Sequence, residues 1–402
     1  MDGELAPLSR LPEDWERALA RHGAPRYRAL QVFRWIWARG VTDPDRMSDL
    51  PKTLRSALAG AVPALAPPAT VVHTHRSLDG SKKLVLGLAD GAEIETVLLP
   101  VARGAETLDA DAAAADDDGD DEDGAPADGR ADARADARPG PARRVTQCVS
   151  TQVGCAMACT FCASGLAGLR RHLDASEIAG QVLLGRAACG PDEALRSVVF
   201  MGMGEPLHNY AGTARALRLL SHPEGLAIPL RRITVSTSGL VPEIAELGRD
   251  FGGAVGLAVS LHQADDAKRS ALMPVNRRYG LTELGRALAA YPLPPRRRIT
   301  IEYTLLAGEN DAPEDARALL RFLRPLRAKV NLIPMNRITG STLGPPDPAR
   351  VLAFQRLVTD AGIGCFVRRR RGDDVAAACG QLALDPARDV LRRAPSRRAR
   401  DA

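Results

Sequence analysis

The stretch that decides the fold is VTQCVSTQVGCAMACTFCASGLAGLRRHL, residues 145–173. It begins with a strand-like run, VTQCVSTQ, and continues into a short segment that contains Cys155, Cys159 and Cys162. From this point to about residue 368, strand-like runs alternate with helical patterns such as DASEIAGQVLLGRAA and APEDARALLRFLRPL. Alternation of this kind predicts an α/β fold with a parallel sheet and outer helices.

Seven segments of the second half are strand candidates: VTQCVSTQ, RSVVFMGMG, RRITVSTSG, AVGLAVSLH, RITIEYTLL, KVNLIPMN and IGCFVRR. Six or seven units are fewer than a closed eight-unit barrel needs, so the pattern predicts an open or partial barrel. The site of such a fold lies at the carboxyl ends of the strands. The motifs GMGEP, STSG, SLH and PMN each follow a strand candidate, which is where that site would be.

The first hundred residues have a different pattern of apolar and polar positions. Apolar positions three and four apart in YRALQVFRWIWARG, with a second helical stretch in LPKTLRSALAG, predict a small helical module over residues 11–60. Residues 71–100 alternate between apolar and polar, with Asp-Gly pairs between the runs, and predict a small antiparallel sheet. Residues 101–145 consist largely of Ala, Asp, Gly, Arg and Pro, so we expect a disordered surface insertion there.

Outside the acidic insertion, the chain has a clear excess of basic residues. Residues 101–145 contain 13 acidic against 6 basic residues, which leaves 48 basic against 36 acidic residues in the rest of the chain. Basic clusters such as PLRRIT, PPRRRIT and VRRRRGDD fit a polyanionic partner such as nucleic acid. Charge alone favours this interpretation no more than it favours a set of solvated surface arginines.

No secretory signal or membrane-spanning run is visible, so we expect a soluble, cytoplasmic protein with no membrane partner. Seven cysteines in such a compartment indicate metal or catalytic groups before disulfides. The x3-x2 spacing of Cys155, Cys159 and Cys162 supplies three thiolates, which leaves one iron of a 4Fe-4S cluster open. A structural zinc site would need a fourth ligand, for which His172 is available.

The chain resembles the RlmN family of radical S-adenosylmethionine (SAM) RNA methyltransferases over almost its whole length. The motifs that support this resemblance are YRALQVFRWIWARGVTD, ETVLLP, CVSTQVGCAMACTFCASGLAGLRRHL, VFMGMGEPLHNY, ITVSTSGLVP, LAVSLHQA, ITIEYTLLAGEND, VNLIPMN and RRRRGDDVAAACGQL. The acidic insertion and a basic tail from about residue 385 depart from the family pattern without interrupting a motif.

The resemblance implies a partial (β/α)6-type radical SAM barrel with a small N-terminal helical module and a short antiparallel β extension. Five segments follow from it: an accessory RNA-binding module (1–65), the β extension (66–100), the insertion (101–145), the core barrel with a C-terminal catalytic loop (146–384) and a basic flexible tail (385–402). Cys155, Cys159 and Cys162 are then the ligands of a 4Fe-4S cluster. The family's SAM contacts match Gly204, Glu205, Ser236, Ser260, Leu261, His262 and Asn336.

The resemblance also implies the chemistry, which uses two SAM molecules per turnover. One SAM methylates Cys379, and a radical generated from the second removes a hydrogen from that methyl group. The resulting carbon adds to adenine carbon 2, Glu95 takes the carbon-2 proton, and Cys148 releases the product by forming a disulfide with Cys379. Taken alone, Cys379 would be interpreted as a packing residue, and Cys148 would be ambiguous. Cys189 and Cys365 match no family role.

The expected substrates are 23S rRNA near the peptidyl-transferase centre and the tRNA adenosine next to the anticodon. The expected electron donor is a reductant such as flavodoxin, and the expected state is a monomer. A carbon-8 rRNA methyltransferase of the antibiotic-resistance type shares the cysteines and is the nearest alternative. A non-catalytic, zinc-stabilised RNA-binding protein is a more remote one, since binding needs neither Cys379 nor Cys148.

Overall fold

The structure, a computed structural model, describes residues 5–60, 65, 68–101, 142–338, 341–368 and 371–382. In chain order its strands are β1 (Ala69–Arg76), β2 (Lys82–Leu88), β3 (Glu93–Pro100), β4 (Arg143–Cys148), β5 (Gln152–Gly154), β6 (Leu169–His172), β7 (Glu193–Phe200), β8 (Ile233–Thr237), β9 (Gly256–Ser260), β10 (Ile299–Leu305), β11 (Ala328–Pro334) and β12 (Cys365–Val367). Its α-helices are α1 (Pro12–Ala20), α2 (Tyr27–Trp37), α3 (Lys52–Ala59), α4 (Ala163–Ala167), α5 (Ala175–Ala188), α6 (Tyr210–Ser221), α7 (Val241–Phe251), α8 (Asp266–Leu272), α9 (Leu281–Ala290), α10 (Pro313–Leu323) and α11 (Pro348–Asp360).

Ten strands form one sheet in the order β1-β2-β3-β4-β7-β8-β9-β10-β11-β12, and β5 pairs with β6 in a small second sheet. All neighbours from β4 to β12 are parallel. The seven strands predicted from the sequence are therefore confirmed, and they follow the chain order as successive strand–helix units do. Every residue of β8 is buried, as expected for an inner strand of a parallel sheet.

The antiparallel strands do not form a separate sheet as the sequence pattern suggested. β3 pairs with β4, with Val97 opposite Cys148, so β1 to β3 extend the parallel sheet at one edge. The physical reason is that an edge strand has unpaired backbone groups, and a β3–β4 hairpin satisfies those of β4. The β extension is thus continuous with the sheet that contains Cys148.

Local signals in the sequence explain how the outer helices begin. At the start of α5, the Asp174 side chain accepts a hydrogen bond from the Glu177 amide (2.9 Å), and the Glu177 carboxylate accepts one from the Asp174 amide (3.0 Å). This reciprocal pair is a capping box, which satisfies two amides that the helix itself leaves unbonded. It starts α5 directly after β6, so the cysteine-rich segment stays short.

The N-terminal helices pack against the outer helices of the sheet. Trp15 and Trp37 are almost completely buried, and the predicted helices at α2 and α3 are confirmed. Arg215 on α6 donates to the Ser9 carbonyl (2.6 Å) and pairs with the Asp14 carboxylate. The module is thereby joined to the core on the outer side of α5 and α6.

The predicted disordered insertion lies mostly outside the described residues, as does the predicted tail at 385–402. Among the helices that are described, none is long and apolar enough to cross a membrane.

Candidate active site

A cavity of about 160 Å³, open at its mouth, lies at the carboxyl ends of the parallel strands. Ten of the thirteen residues predicted for the site line it: Cys155, Cys159, Cys162, Gly204, Glu205, Ser236, Ser260, His262, Asn336 and Cys379. Glu95, Cys148 and Leu261 are not in its lining. The expectation that the motifs after successive strands meet at one place is confirmed by this arrangement.

The three neighbouring cysteines lie in the loop between β5 and α4. Ala158 adopts a left-handed φ of 51° within this loop, and Gly154 at its start has a φ of 79°. A Cβ at residue 154 would lie 1.8 Å from the Gly168 carbonyl oxygen, so only glycine fits where the loop closes on itself. Phe161, Met273 and Met335 belong to an apolar cluster against Cys159 and Cys162, which shields these thiols from water.

The cysteine side chains fit a multi-iron group. Within the described residues, no three His, Cys, Asp or Glu side chains converge as the ligands of a single metal ion do. A four-iron cluster would instead take each thiolate on a different iron atom. Burial raises the pKa of Cys155 to about 12 and also raises the pKa values of Cys159 and Cys162, so thiolates there require a positive partner such as iron. His172, the alternative zinc ligand, lies exposed on β6, where its Nδ1 is 2.9 Å from the side-chain nitrogen Nε2 of Gln152.

The GMGEP and STSG motifs meet through Glu205. Its carboxylate is buried and accepts hydrogen bonds from the backbone amides of Ser238 (2.7 Å) and Leu207 (3.1 Å). Burial raises the pKa of Glu205, although these donors oppose that shift. Gly204 has a φ of 98°, and a Cβ there would lie 2.5 Å from the Gln152 Cβ, so the motif needs glycine beside its carboxylate.

His262 connects the cysteine loop to the strand ends. Its Nδ1 accepts a hydrogen bond from the Thr304 amide (2.8 Å), and its ring meets the Phe161 ring edge-on with centroids 4.8 Å apart. Burial lowers the pKa of His262 to about 3, so the ring is neutral and its proton lies on Nε2. The adjacent Leu261 is fully buried, and its carbonyl accepts a hydrogen bond from Arg269 (3.0 Å).

The two cysteines outside the triad occupy different environments. Cys379 is exposed at the cavity, and its carbonyl accepts a hydrogen bond from the Asn336 side chain (3.2 Å). Cys148 is buried at the end of β4. Burial is the main cause that raises the pKa of Cys148 to about 12, and the charge of the Cys379 sulfur is the second. The two sulfurs are therefore close enough to interact electrostatically. Glu95 lies on β3 in a buried ion pair with Lys83 (2.9 Å).

The described part of the loop that contains Cys379, residues 371–382, runs from the β12 edge of the sheet to the β extension at the other edge. Asp374 accepts hydrogen bonds from the Ser77 hydroxyl (2.6 Å) and the Leu78 amide (3.1 Å) in the β1–β2 turn. Lys83, the partner of Glu95, also donates to the Ala376 carbonyl (3.2 Å). The Gly380 carbonyl accepts a hydrogen bond from the Ala163 amide (2.9 Å), which joins the loop to the cysteine segment. These contacts hold Cys379 over the cavity.

Among the cavity residues that sequence reasoning did not predict, two are charged. Glu302 in β10 is buried, and its Oε2 has no hydrogen-bond partner among the described residues, although Arg368 Nη1 lies 3.8 Å away. A charged residue inside the otherwise uncharged run ITIEYTL was the signal that could have identified it. Arg368 belongs to the basic cluster VRRRRGDD, which fits a polyanionic partner, yet its side chain lines the cavity.

Comparisons with known proteins agree with this geometry. A sequence profile of the radical SAM superfamily matches residues 149–323, and one for the N-terminal domain of ribosomal RNA large-subunit methyltransferases matches residues 12–62. Over 393 residues the chain is 61% identical to the dual-specificity RNA methyltransferase RlmN of Sorangium cellulosum, covering 97% of this chain and 98% of that protein. The chain belongs to the RlmN family.

Further relatives extend the comparison. The dual-specificity RNA methyltransferase RlmN of Solidesulfovibrio magneticus is 41% identical over 370 residues, which cover 91% of this chain and 93% of that protein. The crystal structure of a radical SAM methyltransferase from Sphaerobacter thermophilus superposes with a TM-score of 0.79 at 39% identity, covering 94% of this chain and 99% of that one. The predicted fold class is confirmed, and the chain is a radical SAM RNA methyltransferase of the RlmN type.

Proposed function

We propose that this RlmN-family enzyme methylates carbon 2 of an adenine in 23S rRNA, and of the adenosine next to the anticodon in tRNAs, through a methyl group carried by Cys379. The observation that carries the proposal is that Cys379 lines the same cavity as Cys155, Cys159 and Cys162. Binding of RNA alone would not require a sulfur at that place. The relatives are named as dual-specificity RNA methyltransferases, which supports two RNA substrates.

Cys155, Cys159 and Cys162 would hold a 4Fe-4S cluster, with its fourth iron facing the cavity. When bound, the cluster and SAM supply a carbon radical that can remove a hydrogen from an unreactive methyl group. Gly204, Glu205, Ser236, Ser260, His262 and Asn336 would bind SAM, because they place amide, hydroxyl and imidazole groups around one cavity. Leu261 would contribute through its backbone, since its side chain lies in the core.

Cys379 would act early and Cys148 late in the reaction. The exposed Cys379 can accept a methyl group and reach a base that enters from solvent. The buried Cys148 is suited to the step that releases the product, because its sulfur is an electrostatic neighbour of Cys379 and is kept away from solvent. In that step the Cys148 thiolate would attack the Cys379 sulfur, the bond from that sulfur to the transferred carbon would break, and the carbon would keep the electron pair and take a proton to become the methyl group of the product. A reductant would then reduce the Cys148–Cys379 disulfide before the next turnover.

Glu95 would take the proton from adenine carbon 2. In the structure it is paired with Lys83, which also bonds the loop that contains Cys379. We infer that this pair must loosen when RNA binds, so that the carboxylate can accept a proton.

The partner molecules follow from the same proposal. The cluster would need a reductant such as flavodoxin, and the enzyme would work as a monomer in the cytoplasm. The helical module of residues 1–65 would be an RNA-binding accessory unit, joined to the core barrel of residues 146–384 by the β extension of residues 66–100.

Nucleoside mass spectrometry tests the proposed function. The anaerobically reconstituted protein is incubated with methyl-labelled SAM, a reductant and unmodified 23S rRNA or tRNA. We expect label in 2-methyladenosine from both RNAs, none with Cys159→Ala, and wild-type labelling with Cys365→Ala, a buried cysteine outside the cavity. Label in 8-methyladenosine would contradict the carbon-2 assignment, and a protein that binds zinc without sulfide would contradict the cluster.

A further inference from the structure

Arg269 is a completely buried arginine beneath the cavity. It lies on α8 with no exposed surface. Its guanidinium donates to three carbonyls, those of Leu261 (Nε, 3.0 Å), Ser238 (Nη2, 2.7 Å) and Ser260 (Nη2, 3.2 Å). Nη1 donates to the side-chain oxygen of Asn276 (2.7 Å).

These bonds join the two loops that form one wall of the cavity. Ser238 follows β8 and Ser260 ends β9, and both line the cavity. The Ser238 amide also donates to the Glu205 carboxylate, so Ser238 links Arg269 to the GMGEP motif. A single side chain therefore determines the relative positions of three of the proposed SAM-binding motifs.

The charge of Arg269 is not matched by a carboxylate among these hydrogen-bond acceptors, all of which are neutral. The nearest acid that affects it is Asp266, an exposed residue bonded to Asn276 (3.0 Å). Burial lowers the pKa of Arg269 to about 10, which still leaves it charged at neutral pH. A buried cation is unfavourable unless a negative charge compensates for it.

The cysteine loop lies against the same helix. The last residue of α8, Leu272, accepts a hydrogen bond through its carbonyl from the Thr160 amide (3.1 Å), and Thr160 directly follows Cys159. Arg269 and Cys159 are also electrostatic neighbours, each affecting the pKa of the other. The thiolates of an iron–sulfur cluster would therefore bring negative charge next to the buried cation.

We propose that Arg269 is a positioning residue with two separable effects: its hydrogen bonds hold the SAM-binding loops, and its positive charge favours the reduced form of the cluster. The inference rests on the proposed function, because it requires the cluster and SAM to bind in this cavity. A positive charge beside an iron–sulfur cluster makes its reduction easier and so raises its reduction potential.

Two substitutions at residue 269 separate the effects. Arg269→Lys keeps the charge but loses the planar set of donors, whereas Arg269→Gln removes the charge. Asp266→Asn removes the nearby acid and keeps an oxygen that can accept from Asn276 and from the Leu281 amide. Arg297→Gln is the matched control, because Arg297 donates to the carbonyls of Ala254 (2.7 Å) and Arg231 (3.1 Å) at the opposite end of the strands.

The measurements are an EPR-monitored redox titration of the cluster-loaded proteins and the Kd of SAM by calorimetry. We expect a more negative midpoint potential in Arg269→Gln, a wild-type potential in Arg269→Lys, and a smaller, positive shift in Asp266→Asn. We expect SAM to bind Arg269→Lys about ten-fold more weakly, a loss of about 1.4 kcal/mol. Arg297→Gln should match wild type in both measurements.

The possible failures are distinguishable. A wild-type protein that loads no cluster or binds no SAM contradicts the proposed function itself. A fully loaded Arg269→Gln with the wild-type potential contradicts the charge effect alone, and wild-type SAM affinity in Arg269→Lys contradicts the positioning effect. If Arg269→Gln loads no cluster, Asp266→Asn decides the charge effect, and an unchanged potential in that variant contradicts it.

Discussion

His262 illustrates how one buried side chain joins separate parts of the site. Its ring accepts a hydrogen bond from β10 and packs on Phe161 of the cysteine loop. Its backbone is left-handed, with a φ of 55°, which turns the chain inward directly after β9. The ring is neutral in the folded protein because burial lowers the pKa of His262 to about 3.

This low pKa predicts a loss of stability in acid. Because the unfolded chain binds a proton at His262 below its ordinary pKa of 6.5 and the folded protein does not, stability falls as the pH drops from 6.5 towards 3. Between pH 7 and pH 5 we expect a contribution of about 2 kcal/mol from this residue. Urea unfolding at both pH values should show that wild type loses this much more stability than His262→Asn, in which Asn tolerates the left-handed backbone. Equal losses would show that the buried ring does not resist protonation.

The sequence allowed some of these residues to be identified and not others. The cysteine triad was identifiable because its spacing reflects how a short loop presents three thiols to one cluster. Arg269 was not identifiable, because DDAKRSAL has the composition of a solvated helix, and its burial depends on how α8 packs beneath β8 and β9. Local composition does not determine such packing.

At the scale of elements, the loop of residues 371–382 connects the two edges of the ten-stranded sheet. The strand order begins at β1 and ends at β12. The loop leaves β12, contacts the β1–β2 turn through Asp374, and returns to the cysteine segment at Gly380. The β extension therefore serves as an anchor for the loop that contains Cys379.

This anchoring predicts that Asp374→Ala slows methylation without affecting the cofactors. The change removes two hydrogen bonds between the loop and the β1–β2 turn, so Cys379 should occupy the cavity less often. We expect a roughly three-fold slower turnover, a small effect because both hydrogen bonds are exposed to solvent. Iron content and SAM affinity should be unchanged.

Asp90→Ala is the control, because Asp90 caps the other turn of β2 and bonds Ala92 (3.0 Å) and Arg171 (2.7 Å) instead of the loop. Equal turnover in wild type and Asp374→Ala would show that the turn does not position Cys379.

Element types were more predictable than element pairing. Hydrophobic runs bounded by turn residues identified all seven parallel strands, because each run is buried whatever its neighbours are. The junction of β3 with β4 was not predicted, since about forty residues of acidic insertion separate them in the sequence. Pairing across such a gap depends on the tertiary fold.

At the scale of the whole molecule, the acidic insertion is attached at a well-formed hairpin base. The Val101 amide donates to the Arg144 carbonyl (2.8 Å), and Arg143 Nε donates to the Val101 carbonyl (2.6 Å). These contacts are made by residues that flank the insertion on both sides.

Deleting residues 105–142 should leave folding and activity nearly unchanged. Residues 101–104 then connect β3 to β4, a length within the roughly two to five residues of ordinary hairpin loops. We expect the iron content of wild type and a methylation rate within about two-fold of it, because the deleted composition has little to bury. Loss of methylation with an intact cluster would show that the insertion has a function. A changed salt dependence of RNA binding would indicate competition with RNA for the basic surface.

The central claim is that the methyl carbon passes through Cys379 before it reaches adenine. Cys148→Ala tests it most directly, because methyl transfer, hydrogen abstraction and addition to adenine all precede the step proposed for Cys148. After reaction with RNA under reducing, anaerobic conditions, intact-protein mass spectrometry and nuclease digestion should reveal a Cys379 peptide joined through one carbon to adenine carbon 2. Cys379→Ala, the control, should form no adduct and acquire no methyl group. Full RNA methylation by Cys148→Ala, or a protein methyl group on a residue other than Cys379, would contradict the account.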